Sequence, residues 1–154
     1  MREILFRGKR NKEWVFSDLL MQPKYSGKFL WVNGSWNKIK PDTLGQYIGI
    51  RDKNGVKIFE GDLCRMLDNQ IGRVTRECGA FGIAVMHYID WDYLASEIEG
   101  ITGCSNPPHF CQNDHFVSMW ELMWNYNQDG GRCDVLEVIG NIWDDPGLCE
   151  KEGL

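Results

Sequence analysis

A chain of 154 residues with 43% hydrophobic and 25% charged residues has the size and composition of a single globular domain. These proportions exclude a collagen, a coiled coil and a disordered chain. The aromatic share of 12% favours strands and binding surfaces, whereas the net charge of −5 argues against a protein whose whole surface binds a polyanion.

Three β-hairpins are predicted in the first part of the chain. Strand-forming runs alternate there with polar turns, and Asn-Gly in two of the turns supplies the positive φ that a tight reversal needs. The predicted strand pairs and turns are 4–6 and 13–16 around Gly8–Lys12, 29–32 and 36–39 around Asn33–Ser35, and 46–51 and 56–60 around Asp52–Gly55.

Further short strands are predicted after the third hairpin. Residues 63–66 and 73–76 are rich in strand-forming side chains and are separated by a polar turn. The run 79–86 contains Gly79 and Gly82. Glycine inside such a run weakens the strand and often marks a kink, so a bulged strand is expected there.

The pattern is looser in the last part of the chain. Between Asp114 and Tyr126 the apolar residues recur at helical spacing, which predicts a short helix with Asp114 as its N-cap. The run 135–143 predicts a final strand that is broken at Gly140.

Many short strands joined by tight turns predict a mainly β fold, with antiparallel strands in a small barrel or sandwich. One or two short helices are expected within the segment 89–134. We interpret the chain as a single domain, 1–154, that divides into N-terminal hairpins at about 1–45 and a barrel-like part at about 46–154.

The net charge hides a gradient along the chain. Residues 1–40 carry nine Lys and Arg against three Asp and Glu, whereas residues 89–154 carry two against thirteen. Such an asymmetry is typical of a basic nucleic-acid arm, of an acidic tail, or of two surfaces that attract each other within one chain or between copies, and the last case gives a homo-oligomer. Solvated surface charge is the alternative that the sequence leaves open.

The sequence also indicates a compartment. The basic start of the chain is not followed by an apolar run of signal-peptide length, and no stretch approaches the ~18 apolar residues of a membrane span. We therefore expect a cytoplasmic protein without a membrane partner. In a reducing cytosol most of its six cysteines are expected to be free thiols.

A family resemblance lies in residues 41–66, which read PDTLGQYIGIRDKNGVKIFEGDLCRM and are similar to the YopX family of phage and prophage proteins. The family motif is met at Thr43, Gly45, Gln46, Tyr47, Gly49, Asp52, Gly55, Ile58, Glu60, Gly61 and Asp62. Two further blocks resemble the ends of the family: Ile4–Lys9 with Glu13–Val15 and Asp18, and Glu137–Asp144 with Pro146 and Leu148. The segment 89–134 departs from the family.

This resemblance implies a compact, mainly β fold with barrel-like character, encoded by a phage or an integrated element and present in the cytoplasm of its bacterial host. It also implies self-association, with a phage or host protein as the other class of partner. It implies no reaction, no cofactor and no catalytic residue.

The motif residues have the properties of fold determinants. Glycines at turns provide conformations that exclude a side chain, and Asp52 and Asp62 are placed to cap turns with their own carboxylates. The residues expected to be structural are Gly45, Gln46, Tyr47, Gly49, Asp52, Gly55, Glu60, Gly61, Asp62, Gly140 and Asn141. A binding surface centred on Gln46, Tyr47 and Glu60 is the alternative.

Two cysteines and two histidines cluster in one loop, at Cys104, His109, Cys111 and His115. Two thiolates and two imidazoles can complete a tetrahedral zinc shell. The spacing C-x4-H-x-C-x3-H lacks the tight Cys-x2-Cys knuckle of recognised zinc modules. These four residues are therefore zinc candidates, and an unliganded loop is the expected state.

The first hairpin combines cations with an aromatic ring, at Arg7, Lys9, Arg10, Lys12 and Trp14. Such residues pair phosphate-neutralising charge with a stacking face, as single-strand-binding barrels do. A single-stranded nucleic-acid-binding β-barrel that uses this hairpin is therefore the second functional hypothesis. The alternative is a core tryptophan beside a solvated basic turn.

The leading functional hypothesis is a non-enzymatic accessory protein that binds a partner or self-assembles. The sequence contains no phosphate loop, nucleophile elbow or His-Glu metalloprotease motif. A metal-dependent enzyme, with paired carboxylates such as Asp90 and Asp92 as ligands, therefore ranks third.

The position of the aromatic residues narrows the choice of contact residues. Those within predicted strands or family-like blocks are expected to pack: Trp14, Trp31, Trp36, Tyr47, Phe59 and Trp143. The aromatic residues of the divergent segment remain as candidates for partner contact: Trp91, Tyr93, Trp120 and Trp124.

Overall fold

The computed structural model describes residues 3–66, 69–77, 79–87, 90, 92–93, 96, 115–119 and 131–154. The chain forms two compact units, Met1–Gly49 and Ile50–Leu154. Among the residues just given, no helix is long and apolar enough to cross a membrane.

Short strands dominate both units. They are β1 (Phe6–Arg10), β2 (Glu13–Ser17), β3 (Leu20–Met21), β4 (Lys28–Val32), β5 (Ser35–Ile39), β6 (Gly45–Arg51), β7 (Lys57–Phe59), β8 (Asp62–Arg65), β9 (Ile71–Glu77), β10 (Ala80–Ala84), β11 (Phe116–Ser118) and β12 (Glu137–Asn141). A 3₁₀ turn, Pro41–Thr43, precedes β6, and the helix α1 covers Pro146–Glu152.

The strands pair in antiparallel sheets with the orders β2-β1-β6-β7, β3-β4-β5 and β11-β10-β9-β8-β12. The first of these sheets is a half-barrel. Strand β6 begins in the N-terminal unit and ends in the C-terminal unit. The prediction of a mainly β fold with short antiparallel strands is confirmed.

The hairpin of β4 and β5 follows from its turn residues. Asn33 and Gly34 have φ angles of +51° and +82°, the left-handed pair that suits a two-residue turn between twisted strands. The register set by this turn places Trp31 directly opposite Trp36. The two tryptophan side chains therefore project from the same face of the sheet.

The hairpin of β1 and β2 is tighter than predicted. The predicted turn ran from Gly8 to Lys12, but Arg10 pairs with Glu13 and only two residues form the loop. Asn11 makes this possible because it adopts a φ of +58°, a conformation that asparagine tolerates better than most residues. The cationic residues up to Arg10 thus lie on a strand.

The core of the N-terminal unit contains Val15, Leu30 and Ile39, one residue from each of β2, β4 and β5. Partly buried apolar residues surround them: Phe6, Leu20, Val32 and Leu44. Gly8 allows the close packing, because Ile39 Cδ1 occupies the space that a Cβ at position 8 would need. Strands β1 and β5 can therefore pack closely at this point, with the Ile39 side chain lying directly against the Gly8 backbone.

In the C-terminal unit the five-stranded sheet buries Leu63, Val74, Ile83 and Val117 almost completely. Their side chains come from four successive strands of the order β8, β9, β10 and β11. Val74, Ile83 and Val117 pair with one another and share one face of the sheet, whereas Leu63 pairs with Arg73 and lies on the other face.

The bulged strand predicted over 79–86 is wrong at Ala80–Ala84, where residue pairing with β9 is regular. Gly82 serves another purpose: a Cβ at this position would overlap the Phe116 ring. The register shift among the described strand pairs instead lies between Val138 and Gly140 of β12, where the sequence predicts a break.

The predicted helix from Asp114 is wrong at Phe116–Ser118, which is strand β11 and pairs with Gly82–Ala84. All three β11 side chains are buried. Pairing with β10 therefore outweighs the local helical spacing. Most of the segment 89–134, including the rest of this predicted helix from residue 120, lies outside the described residues.

Two turn glycines allow two contributions to the free energy of unfolding to be measured separately: the strain of a side chain at positive φ, and the clash of that side chain with a neighbouring ring. Gly55 and Gly61 have φ angles of +82° and +86°. A Cβ at Gly55 would meet no atom within 4 Å, whereas a Cβ at Gly61 would overlap the Trp143 ring.

We expect Gly55→Ala to lower the free energy of unfolding by about 1 kcal/mol, because alanine is strained at such a φ. Gly61→Ala should lower it by about 2 kcal/mol more, because the added methyl group also displaces a ring. Urea denaturation followed by circular dichroism measures both values. Equal losses for the two variants would contradict the contact between Gly61 and Trp143.

Candidate functional site

A fully buried carboxylate organises the third hairpin. Asp52 Oδ1 accepts hydrogen bonds from the backbone N–H groups of Asn54 at 2.8 Å and Val56 at 2.9 Å. Asp52 Oδ2 accepts a third from the N–H of Val138 in β12, at 2.9 Å. The carboxylate thus caps its own turn, as predicted, and also joins that turn to a strand 86 residues away.

The residues on either side of Asp52 extend this junction. Arg51 N–H donates to Gly131 O at 2.6 Å, and Arg51 O accepts from the N–H of Cys133 at 2.6 Å. Lys53 N–H donates to Leu136 O at 3.0 Å. Backbone hydrogen bonds therefore align residues 131–138 beside the turn.

A second junction involves Gly61 and Asp62. Asp62 is buried, and its Oδ2 accepts from the N–H of Phe59 at 2.8 Å. The backbone of Gly61 donates to Val74 O and accepts from the N–H of Ile142, both at 2.9 Å. The turn between β7 and β8 is therefore fastened to β9 and to the end of β12.

The end of β12 has a turn of its own. Asn141 Oδ1 accepts from the N–H groups of Trp143 at 3.1 Å and Asp144 at 2.9 Å. Asp145 Oδ2 accepts from the N–H of Asn141 at 3.0 Å. A Cβ at Gly140 would overlap the Asp145 carboxylate. These contacts direct the chain from β12 into α1.

Of the other motif residues, four lie in β6 and Glu60 follows β7. Tyr47 is buried and its N–H donates to Leu5 O at 2.8 Å, and Gly49 has a φ of +95°. Gly45 lies opposite Arg7 in the pairing of β1 and β6. Gln46 and Glu60 are half-buried.

One buried thiol lies beside the Asp52 junction. Burial raises the pKa of Cys133 from 9.0 to about 12, and the nearby charges of Asp134 and Asp52 act in the same direction. The thiol is therefore neutral at physiological pH, where a nucleophile would need the thiolate. Because the thiol of the unfolded chain titrates near its ordinary pKa, the stability that this group contributes is lost as the pH rises from about 9 to 12.

The cationic hairpin residues are placed differently from one another. The Arg7 guanidinium is buried and lies 4.5 Å from the centroid of the Trp14 ring, and Lys9 Nζ lies 5.2 Å from the same centroid. Arg10 donates to Asn37 Oδ1 of β5. Lys12 is exposed in the turn. The Trp14 ring thus already contacts two cations of its own hairpin.

Trp31 and Trp36 are 39% and 42% exposed, so the expectation that they pack is wrong, whereas Tyr47 and Phe59 are buried as expected. The two tryptophans lie edge to face, with ring centroids 5.3 Å apart and planes at 73°. The sequence contains a signal for this pair. A two-residue Asn-Gly turn places the second residue before the turn opposite the second residue after it.

A comparison with known families decides the relationship of the chain. A family model described as YopX protein matches residues 5–150. The chain belongs to the YopX family. Among curated proteins, no sequence matches it. The YopX match spans both compact units and includes the Asp52 junction as well as the Trp31–Trp36 pair.

Three of the four zinc candidates of this YopX protein, Cys104, His109 and Cys111, lie outside the described residues. His115 is described and its side chain is exposed. Asp90 and Asp92 are exposed too, and Asp90 Oδ1 accepts from the N–H of Tyr93 at 3.0 Å. No group of three or more metal-ligating side chains occurs in the part of the chain that the structure describes.

The aromatic candidates of the divergent segment divide in the same way. Tyr93 is 42% exposed. Trp91, Trp120 and Trp124 lie outside the described residues. In the N-terminal unit the described aromatic residues that are exposed are Phe16, Tyr25, Trp31 and Trp36.

The Asp52 junction makes a prediction about stability. Asp52→Asn keeps the shape of the side chain but turns an N–H₂ group toward a backbone N–H, which leaves that donor buried without an acceptor. We expect the free energy of unfolding to fall by about 3 kcal/mol, because the lost hydrogen bonds are charge-assisted. Urea denaturation at neutral pH measures the change.

Asp134→Asn is the matched control, because Asp134 is exposed in the same unit. This variant should change the free energy of unfolding by less than about 0.5 kcal/mol. A loss at Asp52→Asn no larger than that of the control would show that the three hydrogen bonds contribute little.

Proposed function

We propose that this YopX protein is a phage or prophage accessory protein of the host cytoplasm that acts by binding another macromolecule, without catalysis of its own. The observation that carries the proposal is the outward-facing pair of Trp31 and Trp36 on the three-stranded sheet. Exposed aromatic side chains that lie together are characteristic of contact sites.

The core of the N-terminal unit does not require these two rings. Leu30, which precedes Trp31 on β4, faces the core, and so does Ile39, the last residue of β5. A polar residue would satisfy the outer face of the same strands at less cost in exposed apolar area. Contact with a partner would account for two exposed tryptophan side chains at these positions, whereas packing of the core does not.

Self-association is the second candidate, and the charge gradient of the chain favours it. Residues 1–40 carry nine Lys and Arg against three Asp and Glu, and residues 89–154 carry the opposite balance of two against thirteen. Two copies placed head to tail would bring these charges together. In this case the macromolecule that the protein binds is a second copy of itself, and the product is a homo-oligomer.

The test is recovery of partners from living cells. A tagged chain is produced in a bacterial host beside a second copy with a different tag, the cells are fixed with formaldehyde, and the protein, nucleic acid and second copy that purify with the first are measured. Trp31→Ala/Trp36→Ala should reduce recovery of at least one of them by about fivefold or more, because tryptophan truncation is costly at a contact site.

Val56→Ala/Met86→Ala is the matched control, since both residues are exposed and apolar and lie in the C-terminal unit. Recovery from this variant should equal that from the natural chain. If the natural chain and the tryptophan variant recover the same amounts of all three, the proposed function is wrong.

A further inference from the structure

The outer face of the three-stranded sheet is defined by strand alternation. Leu30 and Ile39 are buried against the core, so their neighbours along β4 and β5 point away from it. The residues on this outer face are Met21, Phe29, Trp31, Trp36 and Lys38. We name this set the aromatic face.

We propose that the aromatic face binds single-stranded nucleic acid, with bases stacked on Trp31 and Trp36 and phosphates held by the lysines around them. This inference rests on the proposed function and names the partner of the same surface.

The tryptophan geometry suits base stacking. In an edge-to-face pair one ring uses only its edge, so both of its faces are left uncovered by the other ring. The 73° angle between the two planes and the exposure of both residues leave ring surface open to a flat ligand. Every base has such a flat π-face, which is why stacking on aromatic residues tolerates any sequence.

The backbone holds the pair in place before a ligand arrives. Trp31 N–H donates to Leu19 O at 3.2 Å, and Trp31 O accepts from Ser17 Oγ at 2.6 Å. Asn37 Nδ2 donates to Ser35 O at 2.9 Å beside the hairpin turn. A rigid platform loses less entropy on binding than a mobile one does.

The charge around the aromatic face is mainly positive. Residues 19–41, which form β3, β4, β5 and their loops, contain four lysines and no Asp or Glu, and Asp18 and Asp42 flank this stretch. Lys24 and Lys40 are exposed, as is Lys38 on the face itself. An excess of cations attracts a phosphate backbone and releases its counterions.

The same features disfavour the other partners of a basic surface. Bases in a duplex are stacked on one another and present only their edges, so rings on the surface of a sheet cannot reach their faces. The acidic side chains of a protein segment would satisfy the lysines but offer no π-face to the two tryptophans. Single strands match both the charge and the rings.

The first hairpin is the competing location for the same ligand. There the Trp14 ring already lies near Arg7 and Lys9, at 4.5 Å and 5.2 Å. Phe16 and Lys12 of this hairpin are exposed. These two residues therefore provide variants that match those of the aromatic face in kind.

The experiment titrates the full chain into labelled oligo-dT and oligo-U and measures fluorescence anisotropy over a series of salt concentrations. The oligonucleotides are about twenty nucleotides long, a length that covers the site of one small β domain. Trp31→Ala/Trp36→Ala should weaken binding by about tenfold or more, because each stacked base contributes strongly. Lys38→Glu should weaken binding and make the salt dependence shallower by about 0.7 in the slope of log affinity against log salt.

Phe16→Ala and Lys12→Glu are the controls and should leave the affinity within about twofold, as expected for residues outside a contact site. Trp36→Phe retains a ring and should keep most of the affinity, which separates stacking from any loss of folding in the alanine variant. A duplex of the same length should compete about tenfold less well than the single strand.

Three results would each overturn the proposal: no oligonucleotide binding by the natural chain, equal affinity of the natural chain and Trp31→Ala/Trp36→Ala, or a loss of affinity confined to Lys12→Glu and Phe16→Ala. Light scattering on the same samples identifies another occupant. Self-association that is abolished by the tryptophan variant, without oligonucleotide binding, would assign the aromatic face to a second copy. The proposed function would survive that result, since fixed cells would still yield a partner.

Discussion

The C-terminal unit depends on one buried carboxylate. Asp52 is removed from water and accepts three backbone N–H groups, two from its own turn and one from Val138 of β12. A buried charge is costly unless it is fully hydrogen-bonded, and a bond between a carboxylate and a backbone N–H is stronger than a neutral one. The same group therefore shapes a hairpin and selects the strand that lies beside it.

The neighbours of Asp52 follow from that choice. Once Val138 is fixed, the backbone of Arg51 can meet Gly131 and Cys133, and Lys53 can meet Leu136. The ion pair between Lys53 Nζ and Glu137, at 3.2 Å, is solvent-exposed and adds little. Gly61 then secures the other end of the strand through Ile142. The motif of the YopX family thus contains the residues that hold distant parts of this unit together.

The local half of this arrangement can be predicted from the sequence, and the distant half cannot. Asp52 and Gly55 around Lys53 and Asn54 indicate a capped turn, because both the side-chain cap and the positive φ are local properties. The hydrogen bond to Val138 spans 86 residues and leaves no periodic signal. Phe116–Ser118 is a second example: its spacing is helical, but it forms a strand because it pairs with β10, and the local sequence does not indicate that pairing.

The aromatic face illustrates a second limit of sequence patterns. Strands β4 and β5 carry apolar residues on both sides, so alternation alone does not say whether Leu30 or Trp31 faces the core. The deciding information is three-dimensional: Gly8 brings Ile39 and the first sheet together on one side, which leaves the tryptophans on the other. The register set by the Asn33-Gly34 turn predicts that the two rings are in contact. Packing on the other face of the sheet determines that this contact is exposed to solvent.

Native-state hydrogen exchange of the Val138 amide tests the central role of Asp52 most directly. That amide donates to a buried carboxylate, so it should exchange only when the unit opens. We predict an opening free energy equal, within about 1 kcal/mol, to that of the Ile142 amide, which donates to Gly61 O. Rapid exchange at Val138, with Ile142 still protected, would contradict the account.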